Sequence, residues 1–164
     1  MKESPVNVKL APGDKAPDFD LPLAGGGRIT LEDLAGESAL IWFYPAAGTS
    51  LCTRQARDLR DHAEELTASG ARILGISPDP IDKVEEFVEK EGLPFAMAAD
   101  EGHAVMEAYG AWGEKNMYGV KKMGVIRSSF VIDAHGVLTA VKYRVGTPKH
   151  VEFVRKALSL DTQE

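Results

Sequence analysis

Residues 38–61 read SALIWFYPAAGTSLCTRQARDLRD. The first seven, Ser38 and then six apolar residues, form one continuous run ending in three aromatics. That run is too short for an ordinary helix and reads as a central strand covered on both faces. Pro45 ends it, and the small residues AAGTS make a loop. Beyond the loop, Cys52, Ala56, Leu59, Ala63 and Leu66 recur at helical spacing, with Thr49 or Ser50 as N-cap and Gly70 as a natural stop. Cys52 therefore falls in the first turn of a helix. Unpaired backbone N–H groups and the positive end of the helix dipole favour a thiolate there, and can stabilise charge on an attacked oxygen. Taken alone, the position suits a small buried hydrophobe equally well.

Working outward, the same alternation of strand and helix continues. ARILGIS (71–77) predicts a second buried strand, PDPIDKVEEFVEKEG a helix with Ile81, Val84 and Val88 on one face, and 93–98 a third strand. Residues 104–109 predict a short helix, and the Gly- and Lys-rich stretch 110–124 a loop. SSFVID, the turn AHG and VLTAVKYR predict a hairpin, and 151–160 a closing amphipathic helix. Upstream, residues 1–17 read as an irregular arm, 18–31 as a small hairpin turning at Gly25–Gly27, and TLED (30–33) as a capping box for one helical turn ended by Gly36. The order predicts an α/β domain over 1–164, with a mixed central sheet and helices on both faces.

Composition narrows the function. The 164 residues carry 19 basic against 25 acidic side chains, a net charge of −6, with no basic run longer than Lys121 and Lys122. That argues against a nucleic-acid or anionic-membrane surface. A single cysteine excludes an internal disulfide and a multi-thiolate metal site within one chain. No apolar run approaches a membrane span and the N-terminus lacks a signal-peptide core, so a soluble cytoplasmic protein is expected.

Pro45, Thr49 and Cys52 fit the P-x-x-x-T-x-x-C pattern of the peroxiredoxins, and the flanking FYP and CTRQARDLRD resemble the peroxiredoxin Q, or bacterioferritin comigratory protein, subfamily. GVIRSSFVID (124–133) is similar to that family's active-site arginine segment, and APGDKAPDFDLP (11–22) to its N-terminal opening. The resemblance covers most of the chain. It implies a thioredoxin-like fold and thiol-dependent reduction of hydrogen peroxide and organic hydroperoxides, without metal, flavin or haem. It makes Cys52 the nucleophile that becomes a sulfenic acid. Thr49 and the Leu51 and Cys52 amides would then bind the peroxide, Arg127 would hold thiolate and peroxide, Pro45 would wall the pocket, and Gln55 would support it. Many members of this subfamily carry a resolving cysteine where this chain has Arg57. The chain resembles a one-cysteine variant whose sulfenic acid needs an external thiol: a thioredoxin, a glutaredoxin, a small thiol or another subunit. A monomer or weak homodimer is expected.

The other candidates are weaker. His62, His103, His135 and His150 stand singly, with no spacing for a shared metal, and none is placed near Cys52 by the sequence. A cysteine nucleophile for acyl transfer would need such a histidine as base. The non-enzymatic alternative is a redox sensor or stress-binding protein switched by Cys52 oxidation. Trp112, Met117, Tyr118 and Met123 suit plain packing, or an apolar patch beside the site.

Overall fold

The computed structural model describes residues 9–68, 70–117, 119–146 and 149–158, with the backbone alone at 115–117. The run 38–44 forms β3 (Ala39–Phe43), the middle strand of a five-stranded sheet. Its parallel neighbour is β4 (Arg72–Ser77), followed by β5 (Ala96–Ala99); on the other side lie β8 (Ser128–Ile132) and β9 (Leu138–Tyr143), both antiparallel. The strand order is β5-β4-β3-β8-β9.

Each residue of β3 is buried because both sheet faces are covered. Leu40, Trp42 and Tyr44 pack with Ala56 and Leu59 of α1 (Ser50–Asp61), Leu66 of α2 (Ala63–Leu66), Val84 and Phe87 of α3 (Ile81–Glu91) and Val154 of α5 (His150–Ala157). Ala39, Ile41 and Phe43 face the other core. There they meet Val105, Met106 and Tyr109 of α4 (Ala104–Tyr109), Leu21 and Ile29 of the hairpin β1 (Asp20–Pro22) and β2 (Arg28–Thr30), and Leu34. The expected mixed sheet with helices on both faces is this arrangement. The capping box is present too: Thr30 N–H donates to Asp33 Oδ2 (2.9 Å) and Asp33 N–H to Thr30 Oγ1 (3.2 Å), heading the 3-10 turn Glu32–Leu34.

Two expectations need correction. The stretch 110–124 is largely strand, not loop: β6 (Trp112–Met117) and β7 (Val120–Val125) form a separate two-stranded antiparallel ribbon, with Gly119 ahead of β7 at φ 81°. Its Lys, Asn and Gly content hides a ladder that backbone hydrogen bonds hold, and Gly119, a residue suited to a hairpin turn, was its legible signal. The helix expected to run to Gly70 breaks at His62 (φ −111°, ψ 8°). The ring Nδ1 of His62 contacts the Asp58 carbonyl at 2.9 Å, the acceptor its own N–H would use in an unbroken helix, and the N–H turns to Leu59 O (3.2 Å). The first eight residues of the expected arm, Tyr118, the Met117 side chain and residues 159–160 of the closing helix lie outside the described residues.

Candidate active site

The crossover from β3 to β4 runs through the loop after Tyr44 and then α1, so α1 begins at the carboxyl end of the central strand. Thr53 N–H donates to Thr49 O at 2.8 Å, closing the first helical turn. The amides of Ser50, Leu51 and Cys52 precede that bond and have no acceptor within the helix. Leu51 turns outward, 57% exposed, while Cys52 turns into the core and is 1% exposed. Thr49 occupies the N-cap position, but its hydroxyl donates to Ala46 O (2.9 Å) instead of capping the helix. The expected N-cap hydroxyl is therefore absent at Thr49, and the Oγ1 lone pairs stay free to accept.

Arg127 reaches the same place by strand register. β8 pairs antiparallel with β3, Ser128 opposite Phe43, so Arg127 stands one residue further, level with Tyr44 and the start of the loop. Its Nη1 lies 3.4 Å from Cys52 Sγ and donates to Gln55 Oε1 at 2.8 Å. Gln55 follows Cys52 by three residues, on the same face of α1, and is fully buried. Gln55 Oε1 accepts a second bond from Trp42 Nε1 (3.1 Å), and its Nε2 faces His150 Nδ1 (3.1 Å). His150 Nε2 is 2.5 Å from Ser129 Oγ. Burial, then the Arg127 charge, pushes the His150 imidazole down to about 3, so it is neutral.

Pro45, Val125, Ile126, Arg127, Arg144 and Val145 line a cleft of about 260 Å³ that reaches the site from the Arg127 side, Cys52 itself lying off its walls. A larger groove, about 820 Å³, runs between α1 and α3 and has neither Cys52 nor Arg127 on its walls. Arg57 borders that groove. Its Nε donates to Glu91 Oε1 at 2.6 Å, and this hydrogen bond holds the Glu91 carboxyl below its ordinary value against the opposing effect of burial.

Of the residues singled out from sequence, the structure brings Cys52, Gln55 and Arg127 into contact and sets Pro45 beside Arg127 on one cleft, while Thr49 and Leu51 stand at the start of the Cys52 helix, the Leu51 side chain turned outward. His62 is spent on its own helix, His103 contacts Glu107 and stacks on Trp112, and His135 is exposed. His150 is the correction. The sequence places no histidine near Cys52, yet His150 lies one side chain away, behind Gln55. Both its ring nitrogens are engaged by Gln55 and Ser129, so it does not face the sulfur as a base for acyl transfer would. Its legible signal was its position four residues before Val154, on the apolar stripe of α5. Trp112 is half-buried against the core and Met123 is 49% exposed. Among the described residues no three His, Cys, Asp or Glu side chains converge as metal ligands, and no helix is long and apolar enough to cross a membrane.

Comparison with known proteins places the chain in a family. Residues 12–141 match the AhpC/TSA family. Peroxiredoxin Bcp of Escherichia coli K12 is 43% identical over 145 residues, covering 88% of this chain and 93% of the relative. The bacterioferritin comigratory protein of Xanthomonas campestris, solved in trapped intermediate and ligand complexes that concern its alkyl peroxide reduction, superposes with a TM-score of 0.82. It shows 32% identity, covering 88% of this chain and 92% of its own. The peroxidoxin BcpB of Mycobacterium tuberculosis gives 0.80 and 30%, covering 91% and 96%. With a thiol at a helix start and that degree of likeness over nearly its whole length, the chain belongs to the AhpC/TSA family and is a peroxiredoxin, a thiol-dependent peroxidase.

Proposed function

We propose that Cys52 is the peroxide-reducing nucleophile, with Arg127 its electrostatic partner, and that the contact of 3.4 Å between Nη1 and Sγ is the observation that carries this reading. The sulfur, as thiolate, attacks one oxygen of ROOH. The S–O bond forms as the O–O bond breaks, sulfur loses two electrons, and RO⁻ leaves to take up a proton as ROH. The Arg127 guanidinium, permanently charged, holds the anionic sulfur and then the charge as it passes to the leaving oxygen. Thr49 Oγ1, donating to Ala46 O, accepts from the peroxide O–H, and the amides of Leu51 and Cys52 donate to its oxygens. Pro45 closes one wall of the cleft. Gln55 supports Arg127. The apolar lining of Pro45, Val125, Ile126 and Val145 suits a small alkyl group, so organic hydroperoxides are substrates beside hydrogen peroxide.

The cycle closes outside the chain. Its one cysteine is Cys52, and Arg57 is tied to Glu91. An external thiol R′SH therefore condenses with the sulfenic acid, releasing water and leaving a mixed disulfide. A second R′SH releases Cys52 and departs as R′SSR′. We place the enzyme in the cytoplasm, where reducing thiols of this kind abound, as a monomer or weak homodimer. Cys52→Ser is expected to abolish peroxide-dependent thiol consumption and sulfenic-acid trapping while leaving the melting temperature near that of the parent. Sustained turnover in this variant would refute the assignment.

A further inference from the structure

The polar chain behind the thiol is buried throughout: Trp42, Gln55, Ser129 and His150 each have no exposed surface. Its hydrogen-bond directions can be worked out from donor inventory alone. Trp42 Nε1 and Arg127 Nη1 are donors only, so the Gln55 atom they meet is the amide oxygen. The Gln55 amide nitrogen must then donate to His150 Nδ1, which requires a lone pair there. The imidazole proton consequently sits on Nε2 and is donated to Ser129 Oγ. Ser129 is set directly across from Trp42 in the β3–β8 register, so one strand pair anchors both ends of the network.

Taking Cys52 and Arg127 in the roles given above, we infer that His150 is a positioning residue for peroxide reduction: its Nδ1 lone pair fixes the Gln55 amide, whose oxygen in turn holds the Arg127 guanidinium against Cys52. The reasoning runs through the alternatives. An amide turned end for end has nearly the same shape, so packing alone does not choose its direction. With a proton on Nδ1, two donors would face each other at the Gln55–His150 contact. Rotating Gln55 to relieve that would set its NH₂ against Trp42 Nε1–H and Arg127 Nη1–H, and the guanidinium would lose its acceptor. A small displacement of a guanidinium that must stay on one sulfur costs rate steeply. His150 heads α5, so the closing helix reaches into the chemistry through one ring.

The test compares His150→Phe, which keeps bulk and removes the acceptor, with His150→Asn, which restores an acceptor near Nδ1. Val154→Ala, in the same helix and core but outside the network, controls for lost packing. Stopped-flow oxidation of Cys52 and the pH midpoint of its thiolate absorbance are read beside thermal melts. His150→Phe is expected to oxidise at least about tenfold more slowly, with the midpoint moved upward, and His150→Asn to recover to within about threefold of the parent. Val154→Ala is expected to melt earlier with both thiol readouts unchanged. Parental kinetics in His150→Phe, no recovery in His150→Asn, or equal slowing in Val154→Ala would overturn the inference. Should His150→Phe not fold, Ser129→Ala removes the partner of Nε2–H and is expected to slow oxidation about threefold, parental speed counting against us. If Arg127→Ala slows oxidation while His150→Phe does not, this inference falls and the reading of Cys52 and Arg127 stands; turnover in Cys52→Ser removes both.

Discussion

At the scale of single residues, the site is one sulfur and one cation that lie 75 positions apart in sequence and 3.4 Å apart in space. Arg127→Ala is expected to slow Cys52 oxidation about 100-fold, and Arg127→Lys to recover part of that, since an ammonium keeps the charge but on a stem of different reach from the one guanidinium nitrogen, Nη1, that meets both Sγ and Gln55 Oε1. Rapid-mixing kinetics would show it, and a loss below threefold in Arg127→Ala would contradict the role given to the guanidinium. Cys52 was legible because its helix start is written locally, in a strand, a proline, small residues and a periodic polar segment. Arg127 was legible only through its likeness to a family segment. No spacing rule connects it to Cys52, because antiparallel register between β3 and β8 makes the connection. The place of His150 on a buried helix face was legible, but its link to the site was hidden for the same reason, its partners Gln55 and Ser129 lying on α1 and β8.

At the scale of elements, the closest fit is between β3 and β4. Trp42 lies opposite Gly75, and a Cβ on Gly75 would stand 2.6 Å from the Trp42 ring and 2.8 Å from Met97 Sδ. Gly75→Ala is accordingly expected to cost about 1–3 kcal/mol in chemical denaturation. It should also slow peroxide reduction, because the displaced indole carries the Nε1–H that holds Gln55. Unaltered stability would mean that β4 gives way more easily than its buried position between two strands suggests. The ribbon of β6 and β7 and the break at His62 escaped the sequence reading for opposite reasons. The ribbon has the composition of a loop but satisfies its backbone by pairing, whereas the break interrupts an uninterrupted apolar period through a side chain that takes a backbone acceptor. Strongly periodic segments survived translation into structure; local competition for hydrogen bonds did not announce itself.

For the molecule as a whole, the buried neutral imidazole sets a term in acid stability. His150 titrates near 6.5 when unfolded and at about 3 when folded, so only the unfolded chain gains its proton between those values. Its contribution is complete above pH 6.5 and declines as pH falls towards 3, amounting to about 2 kcal/mol lost between pH 7 and pH 5. The stability of His150→Asn should lack this slope. Denaturation curves of the two proteins at pH 7 and pH 5 measure the difference directly, carboxylates common to both cancelling. Parallel losses in the two proteins would show that the folded imidazole takes up its proton as readily as the unfolded one. Finally, the two tryptophans stand in different surroundings: Trp42 shares its core with Cys52 and hydrogen-bonds the amide that holds Arg127, whereas Trp112 stacks on His103 at 3.7 Å beside the other core. With Trp112→Phe in the background, the indole left behind becomes a built-in fluorophore wired to the reacting atom, and its emission should follow each turn of the cycle in real time without any attached dye.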